Sequence, residues 1–458
     1  MKLRAVLAII LCKLLRGISR LLHRGGTAMP GRYALKLCPN LLELLAKDVK
    51  TVAITGTNGK TTSARMIEEA FARAGKSYLT NRSGANLLSG ITTEFVMNST
   101  LFGHVDKEYA IIECDEAAAR TVFGQLKPRV VVVTNLFRDQ LDRYGEVTHT
   151  LENIREGLRK VPEAKLCLNA DCSLCSSLAL DLPNPAVYFG IDKGAAPSRE
   201  KPALSDATHC IRCKTEYEYD YISYGHLGGF RCPHCGYRRH AADYAVADVL
   251  ELRGSGSRVV MDIRGEKQLV DVNLPAMYNI YNAVGAVAAV SEIGLGPKAA
   301  VEALASFHCG FGRMEQFELG KAGTRMMLVK NPAGCNQVIE FLQDITDRFV
   351  LVICLNDRGA DGTDISWIWD ADFEGLARMA GRIEQVVVSG DRAEDMRVRV
   401  KYAGIADEHI RVERDYGKLV DWLGEQEKPV YIMPTYTAML ELRQTIVHRC
   451  GGTDFWEG

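Results

Sequence analysis

The stretch Ile54-Thr55-Gly56-Thr57-Asn58-Gly59-Lys60-Thr61-Thr62 follows an apolar run, Thr51-Val52-Ala53-Ile54. It opens a segment whose apolar residues Met66, Ile67, Ala70, Phe71 and Ala74 recur at helical spacing. A buried strand, a glycine-rich turn and a helix start in direct succession commit this part of the chain to an α/β layer. They also commit the turn to an anion, because successive backbone N–H groups and the positive end of the helix dipole converge on it. In such a loop Lys60 reaches the β- and γ-phosphates of a nucleoside triphosphate, and the Thr61 hydroxyl holds Mg²⁺. The strict form of the motif has a glycine where Ile54 stands, so this loop is a shortened relative. Thr57, Asn58, Gly59, Lys60, Thr61 and Thr62 are the nucleotide-binding candidates it offers.

The 458 residues leave room for two or three domains, and 47% hydrophobic with 25% charged residues is the balance of a soluble globular enzyme. A net charge of −1 excludes bulk electrostatic attraction to nucleic acid. Of the 14 cysteines, most lie singly in apolar strands (Cys167, Cys354) or helices and read as reduced thiols of a cytosolic protein. The run Ala5 to Cys12 after Lys2 and Arg4 is too short to span a bilayer and has no small-residue cleavage site after it. Leu3, Val6, Leu7, Ile10, Leu14, Ile18, Leu21 and Leu22 share one helical face, with Arg4, Lys13, Arg16, Arg20 and Arg24 elsewhere. That face is expected to dock on the body of the protein, with contact to a membrane surface as the other reading.

From residue 50 to about 192 strands and helices alternate, with strands expected at Lys50–Thr55, Ser77–Thr80, Tyr109–Glu113, Arg129–Asn135, Lys165–Asn169 and Val187–Gly190. This predicts a largely parallel, doubly wound α/β sheet. A cysteine-rich insert at about 207–240 interrupts it, after which a strand near Val259–Ile263 and a helix from Met277 to Ile293 resume the pattern. Phe307-His308-Cys309-Gly310-Phe311-Gly312-Arg313 is a hinge candidate, and strands at Met326–Lys330, Phe349–Leu355, Gln385–Ser389 and Pro429–Met433 form a second α/β unit. The expected organisation is an amphipathic helical segment over 1–48, a central nucleotide-binding domain over 49–306 and a smaller C-terminal α/β domain over 307–458.

Within the insert, Cys210-x₂-Cys213-x₁₈-Cys232-x₂-Cys235 has paired thiolates at the spacing with which two tight turns offer four sulfurs tetrahedrally. A closed all-cysteine site is a structural zinc site, here in a small tyrosine- and glycine-rich ribbon. His209, His226, His234 and His240 are close in sequence but not needed, and Cys172-x₂-Cys175 has no partner pair and reads as a helix start. Glu113 ends an apolar strand, where ligands of an open α/β sheet collect, and is the natural Mg²⁺ ligand beside Thr61; Asp115 and Glu116 compete with it.

Several ordered motifs resemble the Mur ligase family: Thr55–Thr62 its phosphate loop, Thr134-Asn135-Leu136 with Asp139-x-Leu141-Asp142 its TNL…DHLD segment, and Leu168-Asn169-Ala170-Asp171 its LNADD segment. Asn279-x₂-Asn282-Ala283 resembles the asparagine pair near the adenine, and Gly312-Arg313-Met314-Glu315 the entry to the C-terminal domain. The resemblance implies ATP, Mg²⁺ and an acyl phosphate attacked by an amine, with Lys60 and the loop amides on the phosphates. It further implies Thr61 and Glu113 on Mg²⁺, Asn279 and Asn282 near the base, and Arg313 on the phosphates.

There are departures from the family pattern. Gln140 replaces the second-metal histidine, Ile154 stands near the usual carbamylated lysine, and the first fifty residues are too few for a domain that binds a UDP-linked precursor. These departures are similar to those of one branch, the MurT-type synthetase subunits of lipid II isoglutaminyl synthase, as is the zinc ribbon. So are Lys330-Asn331-Pro332-Ala333-Gly334-x-Asn336-Gln337 and Leu355-Asn356-Asp357 followed by Ala360-Asp361-Gly362-x-Asp364-x-Ser366-Trp367-Ile368-Trp369-Asp370. The branch implies amidation of the D-glutamate α-carboxylate of membrane-borne lipid II, with ammonia from a GatD-type glutaminase partner, at the cytoplasmic face of the plasma membrane. Asp357 is the first choice for the group that orients or deprotonates ammonia, with Asp361 and Asp364 as alternatives. The competing readings are a ligase that adds an amino acid, as folylpolyglutamate synthases do, and an ATP-gated zinc-ribbon protein on nucleic acid. For the latter, Arg231, Arg238 and Arg239 are opposed by Glu216, Glu218 and Asp220, so no nucleic-acid partner is expected.

Overall fold

A computed structural model describes residues 3–21, 28–81, 85–138, 147–199, 206–253, 256–307 and 313–450. The chain forms two compact units, one holding the chain up to Phe137 and Val147–Phe307, the other Arg138–Glu146 and the chain beyond Phe307.

The first unit is built on a nine-stranded sheet. In chain order its strands are β1 (Lys50–Thr55), β2 (Tyr78–Thr80), β3 (Tyr109–Glu113), β4 (Val130–Val133), β5 (Lys165–Asn169) and β6 (Ala186–Ile191). A hairpin, β7 (Glu218–Tyr224) and β8 (Leu227–Arg231), stands apart from the sheet, which continues with β9 (Tyr244–Arg253), β10 (Gly256–Ile263) and β11 (Glu266–Val272). The spatial order is β11-β10-β9-β6-β5-β4-β1-β3-β2. Strands β1 to β6 pair in parallel and are largely apolar and buried at their centres, as strands covered on both faces must be. Because β1 lies between β3 and β4, the chain reverses its direction of winding there, and the carboxyl ends of three adjacent strands frame one crevice.

The long antiparallel edge β9-β10-β11 was expected only at Val259–Ile263. Its strands alternate buried and exposed residues, the signature of a sheet with one solvated face, which is weaker than a continuous apolar run. Arg264 and Gly265 turn β10 into β11 with positive φ at both positions, as a tight hairpin of matching twist requires.

Two helices pack over the sheet beside β1: α4 (Lys60–Arg73) directly after the loop, and a later helix, Met277–Glu292, whose residues are buried on almost every side. Three N-terminal helices, α1 (Leu3–Leu21), α2 (Ala28–Leu37) and α3 (Leu41–Ala46), join this unit by packing on α5 (Leu88–Met97). The docked face of α1 is the reverse of the one expected from its leucines. Ala5, Ala8, Ile9 and Cys12 are buried, whereas Leu3, Leu7, Leu14 and Ile18 are exposed. The hydrophobic pattern finds the most apolar stripe, but close helix packing selects the smallest side chains, as it does where α2 meets α5. A Cβ on Gly31 would come within 1.9 Å of the Ser89 carbonyl oxygen.

The second unit carries a six-stranded sheet: β12 (Arg313–Phe317), β13 (Thr324–Met327), β14 (Phe349–Cys354), β15 (Ile383–Ser389), β16 (Ile410–Val412) and β17 (Val430–Pro434), ordered β12-β13-β17-β14-β15-β16. It is parallel except for β12, and Val350, Val352 and Ile432 fill one side together with Leu419, Leu423 and Leu442 from its helices. The Asn331 side chain accepts from the Gly334 N–H, with Pro332 in the first turn, so the conspicuous Asn-Pro pair is a helix start.

A Gly31→Val substitution should force α2 away from α5 and cost about 1–3 kcal/mol, read as a lower urea midpoint with an unchanged slope.

Candidate active site and metal centre

The loop between β1 and α4 turns on Gly56 and Gly59, both at positive φ (122° and 86°). Both also sit where no side chain fits. A Cβ on Gly56 would meet the Thr134 hydroxyl at 2.4 Å, and one on Gly59 would meet Asn282 Oδ1 at 2.1 Å. Gly59 is the N-cap of α4 and supplies no side chain to the first-turn amides, which leaves that turn available to an anion.

The loop is held from outside by the segment after β4. The Thr57 N–H donates to the Asn135 carbonyl (2.8 Å), the Asn58 N–H to Asn135 Oδ1 (3.0 Å), and Asn135 Nδ2 and the Thr134 hydroxyl both donate to the Asn58 carbonyl (3.1 and 2.7 Å). The Thr57 hydroxyl donates to the Phe137 carbonyl and accepts from the Phe137 N–H. The TNL segment is therefore the frame of the loop, while Asp139, Gln140, Leu141 and Asp142 lie outside the described residues.

The three acids after β3 have separate tasks. Glu113 Oε2 accepts from the Thr61 hydroxyl at 2.7 Å, which brings the expected Mg²⁺ pair together. Asp115 caps the helix Glu116–Leu126 by accepting from the Ala117 and Ala118 N–H groups. Glu116 accepts from Lys60 Nζ at 2.7 Å, and both side chains are buried. Lys60 also donates to the Gly56 and Thr57 carbonyls, so the cation is stored inside the loop on groups it can exchange for phosphate oxygens. Between these acids Cys114 is inert, because burial, reinforced by Asp115 and Glu116, pushes its thiol pKa well up.

Asn81 is a site residue that the sequence reading did not single out. Its side chain accepts from the Glu113 N–H (2.9 Å) and donates to the Glu113 carbonyl (2.7 Å), fixing the end of β3. The available signal was its position just past β2, at the same edge of the sheet. Thr61 and Glu113, a neutral hydroxyl and a carboxylate in contact, are hard oxygen donors that fit Mg²⁺ with room for waters and phosphate oxygens. Thr62 is buried in the first turn of α4.

Asn279 and Asn282 project from the buried helix Met277–Glu292. Asn282 packs on Gly59, accepts from the Ser63 hydroxyl and donates to Asn279 Oδ1, while Asn279 donates to the Pro275 carbonyl. The pair thus touches the loop and the start of α4. The residue before this helix, Ala276, is held at φ 76°, a strained conformation for alanine. Ile154 is fully buried core. Arg313 opens β12, and its side chain lies outside the described residues.

The four insert cysteines converge. Cys210 and Cys235 sulfurs are 3.5 Å apart and Cys213 and Cys232 sulfurs 3.4 Å, with all four ligand atoms within 4.8 Å of one another. Tetrahedral zinc sulfurs at ~2.3 Å from the metal lie ~3.8 Å apart, so the cluster fits the ion. The two knuckles match: Lys214 (φ 63°) and Gly236 (φ 73°) each follow the second cysteine of a pair, and each donates its N–H to the carbonyl of the first. Among the described residues no histidine joins the cluster. His226 instead approaches Cys172, the N-cap of the short helix Ser173–Ser177, as expected for a cysteine pair at a helix start.

The ribbon is bolted to the first unit. Tyr224 stacks on Phe137 and His226 tilts against it, while Arg239 donates to Asp171 (2.6 Å), which also accepts from Tyr281 on the Met277–Glu292 helix. Arg231 pairs with Glu218, so two of the three ribbon arginines are engaged within the chain.

In the second unit Asp357, just past β14, is partly exposed and accepts from Arg392 (3.1 Å). Asp361 is buried and accepts from both the N–H and the hydroxyl of Thr437. Asp364 accepts from the Ser366 N–H, and its hydrogen bonds to Ser366 hold its carboxyl below the ordinary value. Asn356, fully buried, ties the Asp357 loop to Thr435, Thr437 and the Asp391 N–H. The geometry thus gives Asp361 and Asp364 to backbone anchoring and leaves Asp357 on a side-chain contact alone.

A doubly wound sheet with a phosphate loop at its switch point and a second parallel α/β unit is the architecture of Mur-type ligases, and solved structures agree. A pseudomurein peptide ligase type C from Methanothermus fervidus matches with a TM-score of 0.66 at 20% identity, over 91% of this chain and 84% of that one. MurF from Acinetobacter baumannii matches with a TM-score of 0.67 at 14% identity, over 91% and 80%. The Mur ligase middle-domain family matches residues 54–228, and the MurT ligase C-terminal family residues 328–439.

Among curated proteins, the chain is 34% identical over 425 residues to the lipid II isoglutaminyl synthase (glutamine-hydrolyzing) subunit MurT of Streptococcus pneumoniae, 93% of each chain. It is 34% identical over 442 residues to the subunit of the same name from Staphylococcus aureus strain COL, 96% of this chain and 97% of that one. The chain belongs to the Mur ligase family, in its MurT branch, and is an ATP-dependent ligase. The family implies ATP and Mg²⁺.

Lys60→Ala should lower catalytic turnover by about 10²–10³-fold and lower the melting temperature, because Glu116 stays buried without its cation. Asn81→Ala should cost about 10–100-fold in Mg²⁺ affinity or activity, recovered in part at high Mg²⁺. The purified chain should carry about one zinc by elemental analysis, and Cys232→Ser should lose the metal and melt at lower temperature.

Proposed function

We propose that this chain is the synthetase subunit of a lipid II isoglutaminyl synthase. A carboxylate oxygen of the lipid II D-glutamate attacks the γ-phosphorus of ATP and ADP leaves, giving an acyl phosphate. Ammonia from a glutaminase partner then attacks the acyl carbon. The new C–N bond replaces the C–O bond to phosphate, and one proton passes from nitrogen to a base. The observation that carries this reading is the Thr61–Glu113 contact at 2.7 Å beside Lys60 on the uncapped start of α4. Bound Mg²⁺ supplies charge neutralisation for the transferring phosphoryl group. Lys60, released from Glu116 and the loop carbonyls, and the amides of Gly59 to Thr62 at the uncapped start of α4 hold the phosphates in line. Asn282 and the Thr134–Asn135 frame keep the loop from rearranging as charge moves.

The base assigned here is Asp357. Its carboxylate is held by one arginine rather than by backbone, so it can accept a proton without unfolding its loop. Arg392 keeps it oriented until ammonia arrives. An ammonia nucleophile needs no amino-acid pocket, and a membrane-borne acceptor needs no domain for a UDP group.

Incubation with ATP, Mg²⁺, glutamine, the glutaminase subunit and lipid II should lower the lipid II mass by about one dalton. A larger adduct would point to an amino-acid-adding ligase instead. Asp357→Asn should cut amide formation by about 10²–10⁴-fold while ADP release persists. Full amidation by that variant would remove Asp357 from the base role and leave the reaction class standing.

A further inference from the structure

The N-terminal helix turns its bulkiest apolar residues outward. Leu3, Leu7, Leu14 and Ile18 are 75%, 48%, 61% and 52% exposed, although Ala5, Ala8, Ile9 and Cys12 on the opposite side are buried. Helical spacing puts the four exposed residues on one stripe along the helix. A soluble surface rarely carries such a contiguous stripe without a partner.

The stripe continues onto the neighbouring turn. Lys13 donates to the Ser99 carbonyl, and Leu101 and Phe102, a few residues on, are themselves 49% and 80% exposed. Met29 and Tyr33 of α2, which packs on α1, are also exposed.

Charge selects the partner. The chain as a whole has a net charge of −1, yet before its first acidic residue, Glu43, it carries eight Lys or Arg and no Asp or Glu. Arg4 and Lys13 lie on either side of the apolar stripe, and each bends its head group back onto a carbonyl, of Leu37 and Ser99. An apolar stripe with Arg4 and Lys13 on its two sides is the surface of a helix that lies in the headgroup region of an anionic bilayer, with its leucines in the acyl boundary. Among the described residues no helix is long and apolar enough to cross a membrane, so the contact is peripheral.

We infer that the outward face of Leu3–Leu21, with Leu101 and Phe102, is a docking surface for an anionic lipid bilayer. It positions the ligase at the membrane independently of whether the acceptor is lipid II. The small residues on the inner face have a matching purpose: they fix the helix to α2 and α5, so that the leucines remain available outside.

The test is flotation of the full-length chain with vesicles of phosphatidylcholine alone or of phosphatidylcholine containing phosphatidylglycerol, neither containing lipid II. The chain should float with the anionic vesicles, less as NaCl is raised, and poorly with the neutral ones. The double variant Leu7→Glu/Leu14→Glu should bind about tenfold or more weakly, at unchanged melting temperature and unchanged Mg·ATP affinity. Ile18→Ser should give a smaller loss of the same kind. Failure to float with anionic vesicles would overturn the inference, as would binding that the glutamates leave unaltered. So would hydrogen-exchange protection of residues 3–18 that arises with the glutaminase subunit and not with vesicles. Because the vesicles hold no acceptor, none of these outcomes bears on the amidation reaction.

Discussion

Everything catalytic in the first unit depends on the brace between two loops: Thr134 and Asn135 after β4 grip Thr57 and Asn58 after β1 through paired hydrogen bonds. A loop built on two glycines at positive φ is conformationally permissive, and it becomes a phosphate site only when something outside it removes that freedom. The brace does so with backbone and amide groups, which do not titrate. Asn282 closes the other side, so near the glycine that a Cβ would collide with it. With the loop fixed, Lys60, Thr61 and the first-turn amides face one place, and Glu113, held by Asn81, meets them there.

The zinc ribbon belongs to the same mechanical system. Phe137 exchanges hydrogen bonds with Thr57 and has Tyr224 and His226 of the ribbon hairpin against its ring. On the other side Arg239, two residues from the end of the second knuckle's turn, is buried against Asp171, which Tyr281 links to the helix that carries Asn282. Burial of the Asp171 carboxylate is tolerable because it accepts from an arginine, a tyrosine and the Ile191 N–H. The four-cysteine insert therefore supports the phosphate loop from a distance without contributing a ligand to it. Of the ribbon arginines, Arg239 is committed to this internal work and Arg231 pairs with Glu218 at the surface of the hairpin.

Much of this was legible in the residues. The strand–turn–helix of the loop, the cysteine spacing, the Thr61–Glu113 pair and the helix start at Cys172 follow from local rules, and the structure keeps them. What escaped were contacts between segments distant in sequence that have no motif. Asn81 is an isolated asparagine after a three-residue strand, and its value lies in facing Glu113. Likewise Thr437 anchors Asp361 and Arg392 holds Asp357, pairings set by which strands neighbour β14. Three acids that look equivalent in the run from Asp357 to Asp364 become different once two of them are taken up by backbone N–H groups.

The sequence by itself determined the main elements, the glycine-rich loop and the paired cysteines, because each rests on local spacing in the chain. Only the tertiary structure decided how those elements face one another. It paired Glu113 with the Thr61 hydroxyl, Asp115 with the first amides of the helix Glu116–Leu126 and Glu116 with Lys60. It also reversed the first helix. Periodicity identifies which stripe is most apolar, but whether that stripe turns inward depends on how close the neighbouring helices stand. Here the inner face takes Ala5, Ala8 and Cys12 with Ile9 alone of the larger residues fully buried, and leaves Leu3, Leu7 and Leu14 outside.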